Sequence, residues 1–110
     1  MAKDDFFVIA YRILAYLYQC MKNGEEPELD DVSYEKLGIP ERYWISVINN
    51  LRIDGYVRGV SIQHGVGGAI YISENDPEIT IAGIEFLQEN TRMGKAKAFL
   101  KELKEIVPGI

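Results

Sequence analysis

The stretch from Pro40 to Ser73, PERYWISVINNLRIDGYVRGVSIQHGVGGAIYIS, constrains the fold more than any other part of this 110-residue chain. Trp44, Val47, Ile48 and Leu51 recur at i, i+3, i+4 and i+7, the spacing of one buried helical stripe. Pro40 suits a first helical position, Glu41 favours the first turn, and Gly55 supplies the stop. The period then changes from helix to strand. Val60 and Ile62 alternate with Ser61 and Gln63, and Ile70 and Ile72 alternate with Tyr71 and Ser73. His64, Gly65, Val66, Gly67 and Gly68 join the two runs as a hairpin tip; a glycine-rich phosphate cradle would lead into a helix instead. A helix followed at once by a hairpin is the second half of a winged helix-turn-helix. In that α+β arrangement one helix is presented to a DNA groove and the hairpin forms an adjacent wing.

The apolar content, 47% hydrophobic against 26% charged residues, is enough for one core, and 1–110 reads as a single domain. Its first helix is expected within Phe6 to Met21, FFVIAYRILAYLYQCM, which is almost wholly apolar. This run is shorter than the roughly 20 residues that span a bilayer. Arg12 lies in its middle, and Asp4 and Asp5 precede it where a signal peptide would carry positive charge. No membrane association is expected. Apolar residues surround the helix on all sides, so it is either a central core helix or a subunit interface. The row Phe7, Tyr11, Leu14 and Tyr18 is the part that a twofold interface would use, together with the C-terminal helix, to form a homodimer. Cys20, the single cysteine, excludes an internal disulfide and fits a reducing cytoplasm.

Gly24 ends the first helix, and Glu25 to Glu35 then carries six acids and no base. Leu29, Val32 and Leu37 can bury one side of a short second helix ending at Gly38. After the hairpin, Glu74 to Pro77 reads as a turn, and Thr80 as the cap of a helix bearing Ile84 and Leu87. A last helix is expected from about Met93 to Val107, with Ala96, Phe99, Leu100, Leu103, Ile106 and Val107 on its apolar side. Arg92, Lys95, Lys97, Lys101 and Lys104 make its other side basic against Glu102 and Glu105. That face reads as a solubilising surface ahead of a phosphate-contacting patch.

The faces of the third helix left over from its apolar stripe carry Arg42, Tyr43, Ser46, Asn49, Asn50 and Arg52, side chains that bond phosphates and base edges. Arg58 and His64 would join them from the wing. An ordinary solvated face has the same composition, and the net charge of −5 means that the molecule as a whole repels phosphate. Binding to double-stranded DNA therefore requires basic side chains to be gathered locally. One histidine and one cysteine leave too few ligands for a familiar metal site. No nucleotide loop and no paired acid and base are visible, so neither a cofactor nor catalysis is expected.

Three segments, NLRIDGYVRGV (Asn50 to Val60), ITIAGIEFLQEN (Ile79 to Asn90) and MGKAKAFLKELKEIV (Met93 to Val107), occur in an order and spacing that resemble the YjcQ-like family. That family comprises small winged-helix proteins of Gram-positive bacteria and their phages. The resemblance covers most of the chain and implies a winged-helix fold and a prophage or mobile-element origin. It brings no catalytic residues to carry over. A small DNA-binding regulator using the third helix and wing is the leading expectation, and a winged-helix module that docks proteins without DNA is the alternative.

Overall fold

A computed structural model describes residues 3–92 as an α+β unit built around its first helix. Helix α1 (Phe6–Asn23) starts at Asp5, whose carboxylate accepts a hydrogen bond from the Phe7 amide at 3.2 Å. It stops at Gly24. Ile9, Ile13, Leu14 and Leu17 are fully buried, and Val8, Tyr11, Tyr16 and Cys20 are nearly so. Each such side chain contributes about 1.5–3 kcal/mol of hydrophobic stabilisation, which makes α1 the element on which the others condense. Of the two expectations for this helix, the central core helix is what the structure contains. Arg12 is buried too, at 3% exposure, although it is the one base in the apolar run.

The acidic segment is tied to α1 by one tyrosine. The Tyr16 hydroxyl donates to the Asp31 carboxylate at 2.6 Å and accepts from the Glu28 amide at 3.0 Å. Leu29 and Val32 enter the core from a 3-10 turn, and a single helical turn follows, α2 (Tyr34–Leu37), capped by Ser33 and closed at Gly38. The short second helix expected here is thus split in two, with its three apolar residues buried as expected.

Helix α3 (Glu41–Ile53) buries Trp44, Val47, Ile48 and Leu51, the stripe read from the sequence. The indole N–H of Trp44 donates to the Val32 carbonyl at 2.8 Å and fixes the preceding turn against the helix. Pro40 stands one residue before the helix rather than in it, with ψ 144°. At the other end Gly55 takes φ +78°, while the Tyr56 amide bonds the Leu51 carbonyl and the Gly55 amide bonds the Arg52 carbonyl. Those paired bonds satisfy the last carbonyls and reverse the chain directly into a strand.

Strands β1 (Val57–His64) and β2 (Ile70–Ile79) pair antiparallel, with Ser61 opposite Ser73, Ile62 opposite Ile72 and His64 opposite Ile70. The turn expected at Glu74 to Pro77 is corrected. These residues continue β2, and their turn chemistry is absorbed in a bulge opposite Arg58 and Val60, where Asp76 takes φ +54°. Gly59 faces that bulge at φ +80°, so close to the Asn75 and Asp76 carbonyls that no Cβ fits.

Helix α4 (Ile81–Arg92) begins after Thr80, whose hydroxyl oxygen accepts from the Gly83 amide and donates to the Gly55 carbonyl. The same side chain therefore caps α4 and ties it to the end of α3. Phe86 stacks on Phe7 and packs against Tyr56, which lays α4 over the start of α1. The order of helices and hairpin is compatible with a winged helix-turn-helix. Among the described residues no helix is long and apolar enough to cross a membrane. The expected helix from Met93 to Val107 lies outside the described residues.

Candidate nucleic-acid interface

Because α3 buries the Trp44 side, its opposite side faces the hairpin across an open groove. Arg42, Ser46, Asn49 and Arg52 line this groove from the helix, and His64 lines it from the end of β1. Ile45, Ile62 and Ile70 form its apolar floor. Among the described residues that line it there is no carboxylate, in a chain with 17 acids and 12 bases. The guanidinium of Arg52 donates to the Asn49 side-chain oxygen from Nη2 at 2.8 Å and from Nε at 3.3 Å. One turn of helix thereby holds an arginine and a carboxamide in a fixed relation, with the Asn49 amide nitrogen still able to donate.

The sequence-predicted set is divided by the structure. Arg42, Ser46, Asn49, Arg52 and His64 come together in the groove. Tyr43 and Asn50 do not. The Tyr43 hydroxyl donates to the Asp4 carbonyl at 2.6 Å, and the Asn50 amide donates to the Ser46 carbonyl of its own helix. Asn50 also lines a separate hollow with Phe6, Phe7 and Phe86. Both residues belong to the side of α3 that meets α1. Arg58 is outside the groove as well, bonded to Glu78 across the strand pair. Of the three isoleucines of the floor, the sequence marks Ile62 and Ile70 only as strand residues and gives Ile45 no role, since no pattern in a single sequence says which edge of a hairpin a helix faces.

The other edge of the hairpin has the opposite charge. There the chain forms a second groove whose rim carries Asp30, Glu35, Glu41 and Glu74, with Trp44, Ile45 and Ile72 beneath. Glu74 reaches across it to accept from the Leu29 amide at 3.5 Å. Ile45 lines both grooves, so the two surfaces of opposite sign are separated by one side chain.

Two of the four residues expected at a dimer interface are used inside the single chain. Tyr11 and Leu14 are buried within the single chain, at 4% and 0% exposure, because α1 is enclosed by the elements around it. Phe7 remains exposed and Tyr18 half-buried. Burial also raises the pKa of the Cys20 thiol, which disfavours the nucleophilic thiolate. Among the described residues no group of three or more histidines, cysteines and carboxylates is placed to hold a metal ion.

Comparison with known proteins places this geometry on a named sequence background. The family model described as YjcQ protein matches residues 11–106. A protein of Bacillus subtilis (strain 168), described as uncharacterized protein YjcQ, is 29% identical over 105 residues, covering 96% of this chain and 97% of the relative. No solved structure gives a significant match to the chain.

Proposed function

We propose that this chain, which belongs to the YjcQ family, binds double-stranded DNA through the groove between α3 and the hairpin. In this reading it is a winged-helix regulator of the small bacterial or prophage type, with α3 as the recognition helix and the hairpin as the wing. The observation that carries the reading is the acid-free groove of Arg42, Ser46, Asn49, Arg52 and His64 in a chain of net charge −5. Arg42 and Arg52 supply the phosphate or guanine contacts, and Asn49 supplies a donor for a base edge. The acidic groove beyond Ile45, with Asp30, Glu35, Glu41 and Glu74 on its rim, repels phosphates and confines a bound duplex to the side of Arg42 and Arg52.

Titration of the full-length protein onto a labelled random-sequence duplex at two salt concentrations tests this. Two or three neutralised phosphates per protomer predict a slope of about −2 to −3 in log K against log salt. A second reading, docking of a protein partner, is favoured by the hairpin tip, where Val66 is 99% and Tyr71 52% exposed without a charge from His64 to Ser73. Absence of DNA binding at low salt would leave that reading in place of the first.

A further inference from the structure

The acid-rimmed groove has a complement in the same chain. Its rim carries Asp30, Glu35, Glu41 and Glu74, and its floor is apolar and aromatic, from Leu29, Trp44, Ile45 and Ile72. Tyr34, on the same wall, has a raised hydroxyl pKa, chiefly through the charge of Glu41 and further through desolvation and Glu35. Negative potential is concentrated there. Past the end of α4 at Arg92 the chain continues to Ile110, and this stretch holds the only local excess of bases in the sequence. Arg92, Lys95, Lys97, Lys101 and Lys104 are set against Glu102 and Glu105, while Phe99, Leu100, Leu103 and Val107 recur at helical spacing. An amphipathic basic segment of this kind fits a groove with an apolar floor and carboxylates along its edge.

We propose that the chain self-associates by seating segment 92–107 of one copy in the acid-rimmed groove of a second copy. Helix α4, to which this stretch is joined, is rooted away from the groove. Helix α4 starts at the C-terminal end of α3, where Thr80 bonds Gly55, and its Phe86 shares a hollow with Asn50, Leu51 and Asp54. The groove uses Glu41, Trp44 and Ile45, at the other end and on another face of the same helix. Two copies exchanging segments reciprocally form a closed twofold pair in which both grooves are filled. Such a pair also replaces the α1 row, whose Tyr11 and Leu14 are already buried. It is independent of DNA binding, since Arg42, Asn49 and Arg52 lie beyond Ile45 in the other groove.

Sedimentation equilibrium of the full-length protein without DNA tests the pairing. The expected result is a monomer–dimer equilibrium that weakens as salt is raised from about 0.05 M to about 0.5 M. The double variant Glu35→Lys, Glu41→Lys and the double variant Lys97→Glu, Lys101→Glu should each weaken association by about tenfold or more. Mixing the two should restore the dimer mass, because each reversed groove then meets a reversed segment. Circular dichroism confirms that each variant is folded, and Arg42→Ala should leave the mass unchanged. A wild-type monomer at every concentration would overturn the proposal, as would a dimer that survives both reversals. Failure of the mixture to restore the dimer would rule out direct contact between the two surfaces.

Discussion

Gly59 and Gly67 both take positive φ, +80° and +72°, yet only one has a neighbour in the way. At Gly67 a Cβ would meet nothing within 4 Å, and alanine there carries only the backbone strain of about 1 kcal/mol. At Gly59 it would also press on the backbone carbonyls of the bulge, and we expect Gly59→Ala to cost about 2–4 kcal/mol. Urea unfolding of both variants measures the difference, and equal losses would mean that the bulge yields. Tyr16 provides a second test at this scale. Burial, then its hydrogen bond to Asp31, raises the pKa of its hydroxyl far above the ordinary tyrosine value. In the unfolded chain the hydroxyl ionises near pH 10 while the folded one keeps its proton. This contribution is present below that pH and is lost as pH rises above it. The fall in urea midpoint between about pH 8 and pH 11 should therefore be smaller in Tyr16→Phe than in wild type. An identical fall in both would assign the alkaline loss to other groups.

At the scale of elements, Thr80 joins two of them. Thr80→Val removes both the cap of α4 and the bond to Gly55, with an expected loss of about 1–2 kcal/mol in thermal or urea unfolding. Thr80→Ser should keep most of that stability, whereas a loss equal to that of valine would point to packing rather than capping. The elements themselves are largely legible in the sequence: α1 by a continuous apolar run that stops at Gly24, α3 by its helical stripe and Gly55, and the hairpin by alternation about a glycine-rich tip. Glu74 to Pro77 was not, because turn-forming residues inside a bulge have the same composition as a turn that ends a strand. The candidate site was legible in half. Helical spacing identifies the side of α3 away from Trp44, but it does not separate Arg42 and Asn49, which face the hairpin, from Tyr43 and Asn50, which meet α1. That division depends on where α1 crosses α3, a long-range contact that leaves no local signature. Accordingly Arg42→Ala should weaken DNA binding by about 1–3 kcal/mol, while Asn50→Ala should leave affinity unchanged. A reversed ranking would put the binding surface on the α1 side.

For the whole molecule, the decisive property is the distribution of charge rather than its sum. Net charge −5 would keep DNA away from a uniform surface, but four acids rim one groove beside the hairpin and the described residues that line the other include none. Ile45, which lines both grooves, stands between the two surfaces. Amide chemical-shift mapping of the labelled full-length protein with a short duplex at low salt tests the account most directly. Shifts concentrated at Arg42, Ser46, Asn49, Arg52 and His64, with Asp30, Glu35 and Glu41 unmoved, are the predicted result. Shifts absent from the groove, or centred on the acidic edge or on the Asn50 side of α3, would contradict it.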